Sequence, residues 1–352
     1  MTPLLKTPGF DAAGWLCANM AELFIKHSHS VMISTSLENN IPNILTCPAP
    51  EAKKQRFYRI EDNKSYEEYL YSNGFLTEEY LENDFQILVS VIQEYRPDLV
   101  ITMDRIAAVI AAKAFSIPCW AIVNGEMSKG TSFPSRCLRP LNALLKTRHF
   151  PLVFSLKDLY AMCDRRITFG HALTQPIEAK DLYRFGSQKE GIKRTRRNNR
   201  ICIFVSELKM KQIRILKHEF LDTPYSVYFS HPGCNPHTEK NIKWIRYPKP
   251  GLLAGCTCIV HDGNDYLFNQ AMTLGIPQLI ITDHGYLRSY LASAAKRNHF
   301  GTFVYEEELN ADSIHDAFRN LIDDDTYYHE ARFIKKQISK LGDLSEIMNL
   351  LR

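Results

Sequence analysis

The sequence has no long hydrophobic run. No apolar stretch approaches the roughly 20 residues that a membrane-spanning helix needs, and the first residues lack the basic start and continuous apolar core of a signal peptide. We therefore expect a soluble, cytoplasmic protein. Association with a membrane surface stays open, because it requires only an exposed basic or apolar patch.

A strong excess of one charge is also missing. The chain has 43 Lys and Arg residues against 39 Asp and Glu residues, a formal net charge of +4. This charge is small and mostly dispersed, which argues against nucleic acid as a partner. One basic run, residues 193–197 with Arg200 just beyond, contains no aromatic residues on which bases could stack, and it is interpreted as a solvated linker.

The cysteines form no disulfide pattern. There are nine, an odd number without a repeating spacing, which is typical of reduced thiols in a cytosolic protein. The closest pair, Cys256 and Cys258, lies in an apolar strand pattern, where alternation places both side chains on one face. A metal site would need further ligands at suitable spacing, so we predict no metal.

Apolar strand patterns alternating with amphipathic helix patterns make up most of the chain. With 352 residues, 45% of them hydrophobic, the chain is long enough for two domains that each bury a core. Continuous apolar strands are predicted at residues 99–102, 119–123, 201–205, 258–261 and 278–281. Strands of this kind between helices have both faces covered, which predicts an α/β fold with parallel sheets.

A domain boundary is predicted in the polar, basic stretch at residues 187–200. This stretch has no apolar face to bury, and a strongly apolar strand follows it directly. We expect one domain over residues 1–190 and a second over residues 200–330. Residues 331–352 are predicted to be helical. We expect them to cross back over the first domain, because the C-terminal helical stretch is longer than the capping of one small domain requires.

A strand that ends in a short turn opens directly into a helix near residue 261. The turn reads His261-Asp262-Gly263-Asn264, and Gly263 permits close approach of a backbone. Such a turn points backbone amides and the positive end of a helix dipole at one spot, where a diphosphate fits. The alternative is that the aspartate and the asparagine supply only turn geometry and a helix cap.

Several runs resemble nucleotide-sugar glycosyltransferases with the GT-B fold, particularly the antibiotic-modifying branch that glycosylates small acceptors. The runs are NIKWIRYPKPGLLAGCTCIVHDGN (residues 241–264), QAMTLGIPQLIIT (residues 270–282) and, in the first half, PDLVITMD (residues 97–104). The resemblance implies two facing Rossmann-like domains with a deep interdomain cleft. It also implies a UDP- or dTDP-sugar donor in the C-terminal half, with no further cofactor.

The resemblance also assigns donor-binding residues. Gln270 falls where the family carries a glutamate for the ribose, and Asn264 falls on a family glycine. The family's phosphate-facing histidine falls on Asp262, whose carboxylate would repel a diphosphate. Either Asp262 turns away and His261 takes this role, or the donor is bound differently or not at all. His261 is equally interpretable as a hydrogen-bonded structural histidine.

Four further residues are donor-site candidates. The family's pair that holds the donor sugar falls near Tyr286 and Leu287, which cannot do this, and the flanking residues Asp283, His284 and Arg288 are possible substitutes. His231 follows a predicted strand, and loops of this kind border the cleft in the implied fold.

The family's general base, a histidine, falls on an alanine of this chain. Asp11 is the nearest titratable residue, and Asp104 follows the strand at residues 99–102, where relatives keep an acidic residue that orients the base. Asp104 could itself take the proton of an acceptor hydroxyl. For both residues the alternative is a role as helix N-cap.

Two functions remain open. The first is an inverting, metal-independent transfer of a sugar from a nucleotide diphosphate to a hydroxyl of a small or lipid-like acceptor. The second is a catalytically degenerate protein that acts as partner or activator of an active glycosyltransferase, which the loss of the usual base and phosphate histidine favours. A homodimer is a further possibility.

Overall fold

The computed structural model describes residues 12–35, 45–55, 65–125, 127, 136–172, 174, 177, 181–186, 198–246 and 250–351. It divides into two compact units. The N-terminal unit contains Ala13–Phe185 together with Met348–Arg352, and the C-terminal unit contains Gly186–Ile347. Of the predicted linker at residues 187–200, residues 187–197 lie outside the described residues, as does the predicted base Asp11.

The N-terminal unit alternates helices and short strands. Its elements are α1 (Ala12–Lys26), β1 (Met32–Thr35), β2 (Leu45–Pro48), α2 (Tyr66–Ser72), α3 (Glu78–Tyr95), β3 (Val100–Met103), α4 (Ile106–Ala114), β4 (Cys119–Ile122), α5 (Arg139–Thr147), α6 (Leu156–Tyr160), β5 (Arg165–Phe169) and β6 (Leu182–Phe185). Strands β3, β4, β5 and β6 form a parallel sheet in that order, and β1 pairs with β2, also in parallel.

Helix α3 illustrates why this sequence folds as it does. The Thr77 side chain accepts a hydrogen bond from the Tyr80 amide and caps the start, and Arg96 ends the helix in the left-handed conformation. Leu81, Phe85 and Leu88 are buried and recur every three or four residues, so they form one apolar stripe.

The C-terminal unit is built around one larger sheet. Its elements are β7 (Arg200–Phe204), α7 (Met210–Phe220), β8 (Ser226–Ser230), β9 (Thr238–Glu239), β10 (Ile242–Trp244), α8 (Pro250–Leu253), β11 (Cys258–His261), α9 (Asp265–Leu274), β12 (Gln278–Thr282), α10 (Tyr286–Arg297), β13 (Gly301–Tyr305), α11 (Ala311–Asp323) and α12 (Asp325–Ile338). The strand order is β13-β12-β11-β7-β8-β10-β9, and only the pairing of β9 with β10 is antiparallel.

Both faces of this sheet are covered. On one face, apolar side chains of β7 and β8 pack with Leu216 of α7 and Phe318 of α11. On the other face, Ile280 of β12 packs with Phe268 of α9 and Ile334 of α12. Strands β11 and β12 are therefore buried along their full length, as continuous apolar runs require.

The α/β class with parallel sheets is confirmed. Helix α12 packs against α9 inside the C-terminal unit, and a 3-10 helix, Leu344–Leu351, follows it. The crossing of residues 331–352 over the first domain stays a prediction, as do the proposed domain limits. No helix in the described part of the chain is both long and apolar enough to cross a membrane.

Candidate functional site

The strand order of the C-terminal sheet predicts where a ligand binds. From β7 the chain continues to β8 on one side, whereas β11 lies on the other side of β7. In an open α/β sheet, ligands bind beyond the carboxyl ends of the strands at such a reversal. We call the turns that follow the parallel strands β7, β8, β11, β12 and β13 the carboxyl edge of this sheet. All of the predicted donor-site residues except Gln270 and Arg288 lie in these turns or, in the case of His261, at the last residue of β11.

His261, the last residue of β11, is a buried structural histidine. Its Nε2 lies 2.8 Å from Oε1 of Gln278, and its Nδ1 accepts a hydrogen bond from the Gly263 amide. The ring is fully buried, and this burial lowers the pKa of His261 to about 4. The ring is therefore neutral near pH 7, with both nitrogens engaged inside the unit.

The Asp262 side chain points across to the turn after β7. Its Oδ2 accepts hydrogen bonds from the Ser206 amide at 2.5 Å, the Ser206 hydroxyl at 3.0 Å and the Glu207 amide at 2.9 Å. Asp262 is 3% exposed, so this contact is shielded from water. The Asp262 carboxylate, directly after β11, thus accepts hydrogen bonds from the turn that follows the neighbouring strand β7.

The local structure explains why glycine and asparagine occupy positions 263 and 264. Gly263 has a φ of +78°, and a Cβ atom there would meet Cβ and Cγ of Arg288 at 3.0 Å. The Asn264 side chain accepts a hydrogen bond from the Leu267 amide, and so it caps α9. The amide of Gly263 already donates to His261, as described above, so this turn uses part of its donors internally.

Arg288, in the first turn of α10, ties the carboxyl edge together. It donates to the backbone oxygens of Asp262 and Ile281 at 2.6 and 3.0 Å, and to the carboxylates of Asp283 and Glu306 at 3.0 and 2.6 Å. Its side chain is 16% exposed. One guanidinium group therefore links the ends of β11, β12 and β13.

The electrostatics of this edge are dominated by carboxylates. Burial alone would lower the pKa of Arg288, but the neighbouring Asp283 and Glu306 raise it, so this cation stays charged. Glu207 approaches the same guanidinium at 3.7 Å. A bound diphosphate would face these acidic groups as well as the cation.

Gln270, His231 and His284 are the remaining donor-site candidates. Gln270 lies on α9 and is 4% exposed. Both ring nitrogens of His231 are engaged, since Nε2 lies 3.2 Å from the Leu208 carbonyl oxygen and Nδ1 accepts from the Gly233 amide. His284 is exposed, and its Nε2 lies 2.6 Å from a carboxylate oxygen of Glu307. This hydrogen bond raises the pKa of His284.

In the N-terminal unit, Asp104 follows β3 with a φ of +59° and accepts a hydrogen bond from the Tyr66 hydroxyl at 2.6 Å. It is not the cap of α4, because that helix begins at Ile106 with Arg105 in the N-cap position. The ring of Tyr66 is buried, and burial raises the pKa of this phenol well above its usual range. Tyr66 thus stays protonated and donates to the carboxylate.

A buried ion pair supports the residue next to Asp104. Nε and Nη2 of Arg105 donate to the Asp84 carboxylate of α3, whose side chain is 0% exposed. Arg105 also donates to the Ser34 hydroxyl of β1. The segment that carries Asp104 is therefore fixed from two sides.

The described residues hold no group of three or more His, Cys, Asp or Glu side chains close enough together to bind a metal ion. Of the two predicted bases, the structure describes only Asp104.

Comparisons with known proteins identify the fold. Residues 235–348 match the family model for the erythromycin biosynthesis protein CIII-like C-terminal domain. The calicheamicin glycosyltransferase CalG4 superposes with a TM-score of 0.74 over 96% of this chain and 94% of its own, at 14% identity. The chain has the GT-B fold.

Two further solved structures agree with this fold. The glycosyltransferase VinC, solved in complex with DTDP, gives a TM-score of 0.68 at 16% identity, covering 96% of this chain and 95% of VinC. The spinosyn rhamnosyltransferase SpnG, solved with the spinosyn aglycone, gives 0.69 at 12% identity, covering 99% and 98%. No curated protein sequence matches the chain. The resemblance of this GT-B chain to antibiotic-modifying glycosyltransferases is thereby confirmed.

Sequence reasoning missed the partners of the predicted residues. Ser206 and Glu207 were not identified, although a turn directly after the first strand of a GT-B domain lies at its carboxyl edge. Tyr66 was predicted only as an aromatic residue that lines an acceptor pocket or packs, and no sequence signal linked it to Asp104, because 38 residues separate the two. Arg288 was predicted as a possible substitute for the family's sugar-holding pair, because it lies directly after the two residues that replace that pair, but its contacts with the ends of β11 and β13 were not predicted.

Proposed function

We propose that this chain transfers a sugar from a nucleotide diphosphate donor to a hydroxyl of a small or lipid-like acceptor, with inversion at the anomeric carbon. The observation that carries the proposal is the family match over residues 235–348, which spans the ends of β11, β12 and β13. The complexes of VinC with DTDP and of SpnG with an aglycone support a nucleotide donor and a small acceptor.

In this proposal Asp104 is the general base. Its carboxylate takes the proton of the acceptor hydroxyl as the oxygen attacks the anomeric carbon, and the bond from that carbon to the diphosphate breaks. The hydrogen bond from Tyr66 holds the carboxylate in one orientation.

The donor diphosphate binds at the carboxyl edge of the C-terminal sheet. Main-chain amides of the turn after β7 and the Arg288 guanidinium balance the charge of the departing group, so the transfer needs no metal ion. For a diphosphate to bind there, the hydrogen bonds between Asp262 and the turn after β7 and between Arg288 and Asp283 must first break.

A second candidate function, a partner or activator without turnover, is favoured by one observation. The groups that would meet a diphosphate already have partners inside the unit, among them both ring nitrogens of His261 and the guanidinium of Arg288. A protein that has lost donor binding is free to acquire such contacts.

Nucleotide binding separates the two functions. Thermal unfolding is measured with dTDP, UDP and GDP, and a ligand at a hundredfold its dissociation constant adds about 2.7 kcal/mol of stability. Stabilisation by one of them, followed by donor hydrolysis that Asp104→Asn reduces, is the expected result. No stabilisation by any of the three nucleotides would favour the partner function, and unchanged hydrolysis in Asp104→Asn would remove this residue from the mechanism.

A further inference from the structure

The contact between Asp262 and the turn after β7 gathers three donors on one oxygen atom. The two backbone amides and one hydroxyl of Ser206 and Glu207 all point at Oδ2 of Asp262. Successive backbone amides that converge in this way form an anion-binding concavity. A phosphate oxygen would receive the same hydrogen bonds from the same donors.

This concavity lies where the topology of the sheet predicts a ligand. It spans the carboxyl ends of β7 and β11, the neighbouring strands between which the strand order reverses. The strand order alone predicts a ligand at this place, independently of the hydrogen bonds to Asp262. Both observations mark the same place.

The occupant of this concavity is a side chain of the protein. Asp262 is almost fully buried, and the described hydrogen bonds of its side chain all go to Ser206 and Glu207. Arg288 binds the backbone oxygen of Asp262 and leaves the carboxylate to the turn. The negative charge of Asp262 therefore stands where an anionic ligand would otherwise be held.

We propose that Asp262 determines anion access to the donor site: its carboxylate fills the anion position of the Ser206–Glu207 turn, and a diphosphate binds there only by displacing it. The part of this inference that concerns the sugar donor rests on the proposed function. The occupied anion position itself does not depend on sugar transfer.

The test measures binding of inorganic pyrophosphate and of dTDP by calorimetry at low ionic strength, on the full chain. Asp262→Ala vacates the turn, and Asp262→Asn removes the charge while it keeps a hydrogen-bonding oxygen. We expect the alanine variant to bind pyrophosphate about tenfold more tightly than the wild type, because charge-assisted hydrogen bonds become available to the ligand. The asparagine variant should show a smaller gain and serves if the alanine variant does not fold.

Two matched variants separate this effect from a general loss of negative charge. Glu207→Gln removes one carboxylate from the same edge, where its side chain is 69% exposed, but it vacates no amide. It should change pyrophosphate affinity by less than about threefold, since an exposed charge is screened by water. Ser206→Ala added to Asp262→Ala removes one of the three donors and should cancel part of the gain.

Equal pyrophosphate affinity in the wild type and both Asp262 variants would overturn the proposal, and so would an equal gain in Glu207→Gln. The occupied anion position and the proposed sugar transfer can be refuted separately. A gain for Asp262→Ala in a chain that transfers no sugar would leave this inference standing and refute the proposed function. Sugar transfer by the wild type without any gain in the variants would do the reverse.

Discussion

At the scale of single residues, His261 couples protonation to stability. Burial lowers its pKa to about 4, below the ordinary value of 6.5. A proton on Nδ1 would also remove the acceptor of the Gly263 amide. The unfolded chain takes up this proton first, so the stabilising contribution is complete above about pH 6.5 and is lost as the pH falls towards about 4.

A pH series of urea unfolding tests this coupling. Between pH 7 and pH 5 the wild type should lose roughly 2 kcal/mol of unfolding free energy that His261→Gln does not lose, because glutamine takes up no proton. The two proteins share every other titratable group, so the difference between their losses reports on His261. Parallel loss of stability in both proteins would contradict the account of His261.

The ion pair of Asp84 and Arg105 predicts a second residue-scale effect. Asp84→Asn leaves the Arg105 cation, 12% exposed, without its charged partner, and the unfolding free energy should fall by about 3–5 kcal/mol. The control is Glu79→Gln, which breaks an ion pair between exposed side chains, Glu79 at 69% and Lys53 at 77% exposure. This variant should lose less than about 1 kcal/mol of unfolding free energy. Similar losses in the two variants, measured by denaturant unfolding, would refute the claim that the pair next to Asp104 is structurally important.

At the scale of elements, the turn that opens α9 depends on one glycine. Gly263 combines a positive φ with close contact to Arg288, whereas a Cβ atom added to Gly251, at the start of α8, would meet no atom within 4 Å. Gly263→Ala should therefore destabilise the protein by about 1–3 kcal/mol, while Gly251→Ala should be neutral or slightly stabilising. Thermal unfolding of the two variants checks this, and equal midpoints would mean that the turn relaxes freely.

The elements themselves were largely predictable from the sequence. Strands β7, β11 and β12 are short apolar runs between helix patterns, and the predicted and observed bounds differ by one residue at most. The short strand β2 was not predicted, because its four residues, LTCP, are too few to establish a pattern and include a proline. Strands that are buried on both faces are continuous apolar runs in the sequence, so local patterns were sufficient to predict the α/β class.

The candidate site was less predictable, because its contacts connect distant segments. The sequence correctly predicted that His261 and Asp262 lie between the end of β11 and the start of α9. It left open whether their side chains face a ligand. Their orientation depends on Gln278 and Ser206, which lie 17 and 56 residues away. No periodic pattern reports on hydrogen bonds of this kind, so the alternatives were decided only by the three-dimensional arrangement.

At the scale of the whole molecule, proteolysis tests the domain boundary that the sequence predicts at residues 187–200. Residues 193–200 contain five basic residues and no apolar residue, so trypsin should cut there before it cuts the buried helices of either unit. Mass spectrometry of early digests should find two large fragments that meet in this run. First cuts inside α3 or α9 would contradict the proposed boundary.

Hydrogen exchange with a saturating nucleoside diphosphate tests the central claim, that this GT-B chain binds a sugar donor at the carboxyl edge of its C-terminal sheet. We predict slower exchange at residues 206–208 and 262–265 when dTDP, UDP or GDP is added, with little change in strand β10, which is separated from β7 by β8. No change with any of the three, or protection only in segments far from these turns, would contradict it.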